Sequence, residues 1–249
     1  MKNIAIIGGG IIGLSAAFYL SKAGYKVSIF DAGHLNDNCS VGNAGMIVPS
    51  HIIPLASPGM IAKGIRWMFN SKSPFYVRPR LNKDLLRWGM KFYAHANKEN
   101  VERAIPVLKE ISVLSKSLYQ QIAAENVFDF GYEERGLLML YQTSETEKEE
   151  IESADVANKN KIIAHVLSPV GVQNLEPDVK VSVKGGVYFP GDAHLIPQLL
   201  ISNLVQYLKQ QGVSFRLGTA VDSLDINSGK IVGLLVKKDR ETGKVAKLS

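Results

Sequence analysis

The stretch NIAIIGGGIIGLSAAFYLSKAGYKVSIFD, residues 3–31, decides how the chain folds. Asn3 to Ile7 is short, apolar and rich in Ile, the pattern of a parallel strand buried on both faces. Gly8, Gly10 and Gly13 follow as Gly-x-Gly-x-x-Gly and open a predicted helix with apolar or small positions Leu14, Ala17, Phe18 and Leu20, which Gly24 closes. Lys26 to Phe30 reads as a second strand ending at Asp31. In such a strand, turn, helix, strand unit the first glycine permits the tight turn and the second lets a diphosphate approach bare backbone. The third brings helix and strand close, and free N–H groups at the helix start attract the anion. Asp31 stands where a carboxylate accepts hydrogen bonds from the hydroxyls of an adenosine ribose. The unit predicts a dinucleotide site; a glycine-rich turn without a ligand is the plainer alternative.

A carboxylate at Asp31 repels a 2′-phosphate and so disfavours NADP, leaving FAD and NAD. A nicotinamide-binding domain continues with alternating strands and helices. Here the chain runs instead into Cys39-Ser40-Val41-Gly42-Asn43-Ala44-Gly45-Met46 and an extended stretch with Pro49, Pro54 and Pro58. Backbone so dense in small residues can lie against a flat anionic cofactor, which favours FAD over NAD, with an ordinary surface loop as the alternative.

The 249 residues allow one large domain or two small ones, and 46% hydrophobic with 21% charged residues is a globular mix. The single cysteine, Cys39, excludes an internal disulfide, and no Cys/His cluster suggests a metal site. The net charge of +6 comes from Lys and Arg scattered along the chain, so nucleic-acid binding is not expected, although acidic ligands or a lipid surface suit it. No run approaches the roughly 20 apolar residues of a membrane-spanning helix. A reducing, cytoplasmic location is expected.

The fingerprint, the segment Ser40 to Gly45, the Pro49 to Gly59 stretch, Arg66-Trp67-Met68-Phe69 and Gly185-Gly186-Val187-Tyr188-Phe189-Pro190 together resemble the D-amino-acid dehydrogenase branch of the FAD-dependent D-amino-acid oxidase superfamily. The resemblance implies an α/β fold, a Rossmann-like FAD-binding domain with an inserted α+β substrate domain. It divides the chain into 1–80 (FAD-binding, first part), 81–184 (inserted substrate or lid domain) and 185–249 (FAD-binding, second part). Members are longer, and the sequence looks like their N-terminal portion. By the same resemblance, Gly8, Gly9, Gly10, Ile11, Ile12 and Gly13 hold the diphosphate, and Asp31 and Ala32 the adenosine end. Ser40 with Asn43, Ala44, Gly45 and Met46 faces the diphosphate or isoalloxazine. Val221 faces adenine through its backbone, or is a core-facing strand residue. The implied activity is oxidation of an amino-acid C–N bond by hydride transfer from Cα to flavin N5, giving a 2-oxo acid and ammonia. A respiratory electron acceptor at the inner face of the membrane fits that role. The rival expectation is a noncatalytic dinucleotide-binding fragment or interaction module.

Elsewhere, helices are expected at 56–69, 82–96, 101–122 with Pro106 in a first-turn or kinked placement, 144–158 and 195–211, and strands at 136–141, 162–167, 185–189, 213–217, 230–237 and 245–248. The charge run Glu145 to Glu152 reads as a solvated helix face. Trp67, Phe69, Trp88 and Phe92 read as packing residues. His51 and His194 are candidates for the substrate cavity, with hydrogen-bonded loop histidines as the alternative. Arg66, Arg78, Arg80, Arg87 and Arg135 are available to pair with a substrate carboxylate, and no residue is assigned a catalytic role.

Overall fold

The computed structural model of the chain describes residues 3–35, 38–60, 64, 82–237 and 245–248. In chain order these form β1 (Asn3–Ile7), α1 (Ile11–Lys22), β2 (Lys26–Phe30), β3 (Met46–Ile47), α2 (Lys83–His95), α3 (Lys98–Glu125), β4 (Leu137–Tyr141), α4 (Ser144–Lys159), β5 (His165–Leu167), α5 (Pro169–Leu175), β6 (Gly185–Phe189), β7 (Ala193–His194), α6 (Pro197–Gln210), β8 (Ser214–Arg216), β9 (Ala220–Asn227), β10 (Lys230–Lys237) and β11 (Val245–Leu248). The expected helix over 56–69, with Arg66, Trp67 and Phe69, lies largely outside the described residues, as do Arg78 and Arg80. Of the two placements expected for Pro106, first-turn or kinked, the first does not hold, since Pro106 lies inside α3. The elements divide between two compact units, one made of Met1–Met46, Tyr119–Glu133 and His194–Ser249, the other of Ile47–Leu118 and Glu134–Ala193.

The first unit is built on a parallel sheet in the order β1-β2-β8. One face of α1 supplies Leu14, Ala17 and Phe18, all buried at helical spacing, and α6 supplies Leu200, Ile201, Leu204 and Leu208. The rings of Phe18 and Tyr207 lie 5.5 Å apart where these two helices meet. Each large side chain buried in this way stabilises the unit by about 1.5–3 kcal/mol. β2 matches the expected buried strand, with Val27, Ile29 and Phe30 inside. β1 does not: Ala5 and Ile7 are exposed and Ile4 and Ile6 half-buried, because β1 is an edge strand with a partner on one side among the described residues. A second, antiparallel sheet in the order β11-β10-β9 completes the unit. Its β9–β10 connection places Ser228 and Gly229 both at positive φ, as a two-residue I′ hairpin turn requires.

The second unit centres on an antiparallel sheet, β4-β6-β5. Tyr141, Val187 and Phe189 from this sheet pack with Ala154 and Ala157 of α4, whose small side chains let helix and sheet approach closely. A reciprocal pair of bonds between Thr143 and Thr146 caps α4 at its start. In the charged run on α4, Glu145, Lys148, Glu149 and Glu152 are exposed as expected, whereas Glu147 and Glu150 are half-buried, and burial holds the Glu150 carboxyl above its ordinary range.

Candidate functional site

In the glycine turn after β1, backbone conformation favours glycine at one position and close packing at others. Gly8 has φ +101°, a conformation that L side chains rarely adopt, and its N–H extends the β1–β2 ladder by donating to Phe30 O at 2.8 Å. A Cβ on Gly9 would collide with Leu35, and one on Gly13 would run into the carbonyl oxygen of Gly8. The contact at Gly13 is the close helix-to-strand approach expected of the third glycine. Gly10 then caps α1 with extended backbone and no side-chain bond.

The first turn of α1 leaves amides without intrahelical acceptors. Ile11 N–H donates to Ser40 Oγ at 3.0 Å, tying the loop after β2 to the helix start. No acceptor for the amides of Ile12 and Gly13 is found among the described residues, and the turn contains no acidic side chain. Ile12 is 85% exposed. Bare amides and the positive end of the helix dipole together suit an anion.

Asp31 sits at the end of β2, where the sequence places it, but it also has a structural task. Its Oδ2 accepts from Gly9 N–H at 2.6 Å and its Oδ1 from Gly33 N–H at 2.7 Å, bracing the turn from below. A carboxylate has about four acceptor positions, so two amides leave room for ribose hydroxyls. The backbone around it is fixed as well: Asp31 N–H donates to Arg216 O, Thr219 N–H to Asp31 O, and Gly218 N–H to Gly33 O. Gly33, Leu35 and Thr219 were not singled out from the sequence. Leu35 is buried with φ +73° beneath Gly9, and no local pattern announces a leucine in that conformation. Ala32 is exposed beside them.

The loop from Ser40 to Met46 is organised mainly by its own side chains. Asn43 Nδ2 donates to the carbonyls of Cys39 and Ser40, and Asn43 Oδ1 accepts from Gly45 N–H at 2.8 Å. Because the Asn43 amide is engaged within the loop, backbone rather than that side chain is what the segment can offer a ligand. Gly45 is buried at φ +67°, a Cβ there would strike Leu195 O, and its own carbonyl accepts from Leu195 N–H at 2.9 Å. Gln198 of α6 donates to Val41 O. Ala44 and Met46 are exposed. Val221 packs its side chain, partly buried, against Phe30, Leu234 and Val236.

Hydrogen bonds fix the ring of His51 and the backbone of His194. His194 exchanges backbone hydrogen bonds with Glu133 in both directions. His51, in the second unit, shares a 3.0 Å hydrogen bond between Nδ1 and Ser50 Oγ, and Ser50 in turn donates its hydroxyl and its N–H to Asp192. Asp192 is 1% exposed; burial raises its pKa, and the two bonds from Ser50 oppose that rise. Arg135 accepts a bond at its carbonyl from Tyr188 OH, and Arg87 lies exposed on α2.

Comparison with known proteins follows the same lines. The family described as FAD dependent oxidoreductase matches residues 3–247. The D-amino acid dehydrogenase of Helicobacter pylori (strain J99) is 30% identical over 239 residues, covering 96% of this chain and 57% of that protein. Among solved structures, glycine oxidase from Bacillus cereus superposes with a TM-score of 0.67 at 22% identity, covering 96% of this chain and 52% of that one. Glycine oxidase from Geobacillus kaustophilus gives 0.66 at 20% identity over 95% and 51%. The chain thus spans little more than half the length of the relatives it matches. The shared fold is the expected one, a dinucleotide-binding α/β domain with an α+β insertion.

Proposed function

This chain belongs to the FAD-dependent oxidoreductase family, and on that premise we propose that its protein oxidises the C–N bond of a small amino acid, a D-amino acid foremost, to a 2-oxo acid and ammonia. The observation that carries the cofactor half of the reading is the glycine turn braced by Asp31, with its bare first-turn amides. Gly8 to Gly13 would hold the FAD diphosphate, Asp31 the ribose, and the backbone of Asn43 to Met46 a further part of the cofactor. When bound, FAD supplies the acceptor for the hydride that leaves the substrate Cα. The amine must be neutral for that departure, and water then hydrolyses the imine. The second unit is the substrate domain in this reading, since the insertion is where an α+β sheet departs from the nucleotide-binding pattern. The D-amino acid preference rests on the Helicobacter pylori relative, and a respiratory acceptor in place of oxygen on the word dehydrogenase in its name.

Titration of the purified chain with FAD, followed by flavin fluorescence and by the visible spectrum, tests the first half. Saturable binding of FAD with no competition from NAD is the expected result, and no binding of either would end the reading. Anaerobic addition of D-alanine or D-proline to the FAD-loaded protein tests the second half by bleaching of the flavin absorbance. FAD binding without bleaching by any amino acid would leave a noncatalytic dinucleotide-binding module. Rapid oxygen consumption would turn the dehydrogenase into an oxidase.

A further inference from the structure

His51 is exposed, but its neighbours Ser50 and Ile52 are buried on either side of it. Two backbone bonds, His51 N–H to Val48 O at 3.1 Å and Ile52 N–H to Ser50 O at 3.0 Å, fold the segment around them. Asp192 is pinned in the same way, its N–H donating to Phe189 O and its carbonyl accepting from Gly136 N–H. Between these fixed points runs a chain of polar groups. Asp192 Oδ1 accepts Ser50 N–H at 3.1 Å, Asp192 Oδ2 accepts the Ser50 hydroxyl, and Ser50 Oγ meets His51 Nδ1 at 3.0 Å. The protons in this chain can be counted. A serine hydroxyl carries one, and Ser50 gives it to the carboxylate, so the bond to the imidazole forms only with Nδ1 as the donor. His51 Nδ1 therefore keeps its proton whether the ring is neutral or charged, and Nε2 is the nitrogen that gains or loses one. No partner for Nε2 is found among the described residues. A charged His51 ring acts on two carboxylates, Asp192 and Glu150 of α4, and the Phe189 ring lies 6.2 Å from it. Burial raises the Asp192 pKa, while the Ser50 bonds and the charges of His51 and Lys116 favour its carboxylate; Lys116 itself pairs with Glu134 at 2.8 Å.

We propose that His51 Nε2 is a proton acceptor, set in that role by Ser50 and Asp192, and that it takes the proton from the ammonium group of an amino-acid substrate. This rests on the reading of the second unit as the substrate domain. In the step an N–H bond of the ammonium group breaks and its electron pair stays on the amine nitrogen. The proton joins the Nε2 lone pair, which leaves an imidazolium and the neutral amine that hydride departure requires. Because His51 is exposed, water can take the proton away again. Ser50 and Asp192 touch no substrate in this scheme and are positioning residues. The ionised carboxylate sets the polarity of the chain. A carboxamide or a protonated carboxyl at position 192 donates to Ser50 Oγ instead, turns the hydroxyl proton toward Nδ1 and moves the ring proton to Nε2, which closes the acceptor.

Heteronuclear NMR of the histidine ring nitrogens in the FAD-loaded chain is the first test, with H51Q to assign the signals. Neutral His51 should carry its proton on Nδ1 in the parent chain and on Nε2 in D192N, which can keep both bonds to Ser50. S50A, which frees Nδ1, should show both tautomers. A parent ring protonated at Nε2, or a D192N ring still protonated at Nδ1, would overturn the proposal. The second test is the rate of flavin bleaching by D-alanine without oxygen. At about pH 7, H51Q and D192N should bleach roughly a hundredfold more slowly than the parent. The gap should close as the pH rises through the pKa of the substrate amine, because the substrate then arrives neutral, whereas a merely structural defect would persist at every pH. Equal rates for H51Q and the parent, or a deficit that alkali does not shrink, would overturn the acceptor role alone. Failure of every amino acid to bleach the parent would overturn the function reading, and the substrate role of His51 with it, whichever tautomer is found.

Discussion

The Asp31 carboxylate accepts the Gly9 amide at 2.6 Å although the two residues are 22 positions apart. The bond joins the end of β2 to the middle of the glycine turn, and Gly33 N–H fills the other carboxylate oxygen. The residue expected to read the ribose therefore also shapes the turn that is expected to hold the diphosphate. Both ends of the proposed nucleotide site depend on one side chain.

Substitution of Asp31 should consequently damage stability as well as affinity. D31A leaves two partly buried amides without their charged acceptor, at about 1–3 kcal/mol of stability. FAD affinity should fall by more than about tenfold, by loss of both the brace and the ribose acceptor. D31N keeps one acceptor oxygen and should lie between the two. Urea unfolding and FAD titration of the three proteins measure this; an Asp31 variant that binds FAD normally would show that the carboxylate matters for neither.

Gly8 and Gly13 should fail for different reasons when changed to alanine. Space is open around a Cβ at Gly8, so G8A suffers only from its φ of +101° and should cost about 1–2 kcal/mol. G13A drives a methyl into the Gly8 carbonyl, which forces α1 away from β1 and should cost about 3 kcal/mol with loss of FAD binding. Thermal denaturation with and without FAD separates them, since G8A should still gain stability from the cofactor and G13A should not.

Asn43→Ala removes two donated bonds and one accepted bond within the loop at once. The loop lies in contact with α1 through Ser40, so the change should weaken FAD binding roughly tenfold while global stability drops by about 1 kcal/mol. Hydrogen exchange at Gly45 should quicken in the variant. An unaltered exchange rate there would show that the Asn43 bonds do not hold the segment.

Asp192 makes stability depend on pH with a definite sign. Its folded pKa is raised above the ordinary value of 3.8, so the folded state binds the proton more tightly than the unfolded state. The contribution of this group is greatest below pH 3.8 and is lost as pH rises through its raised pKa. The carboxamide of D192N cannot titrate, yet it can still accept Ser50 N–H and donate to Ser50 Oγ. Wild type should therefore lose stability relative to D192N as the pH is raised above 3.8, as read by urea unfolding across that range. D192A, which leaves Ser50 N–H unpaired beside a small cavity, should cost about 2–4 kcal/mol at any pH.

What residues 3–31 could say by themselves was considerable, because the determinants are local. A glycine at φ +101°, apolar residues at helical spacing and a β-rich run after Gly24 act over a few residues, so strand, turn, helix and strand were legible in order. The same holds for α4 and for the β10 strand, whose patterns repeat within one element. The edge position of β1 was not legible, since an Ile-rich run reads the same whether one or two strands flank it. Nor could any pattern tell that the Asn43 amide serves its own loop, that Leu35 takes a positive φ under Gly9, or that Ser50 pairs with Asp192 across 142 positions. The chain alone determined the strand, turn, helix, strand order of residues 3–31 and where an anion is expected to meet bare amides, but β3, α5, β7 and β9 were not expected from it. Tertiary structure decided which side chains those segments share, because a buried carboxylate or amide takes whatever partner the folded backbone brings within hydrogen-bond reach, and sequence distance sets no limit on that choice.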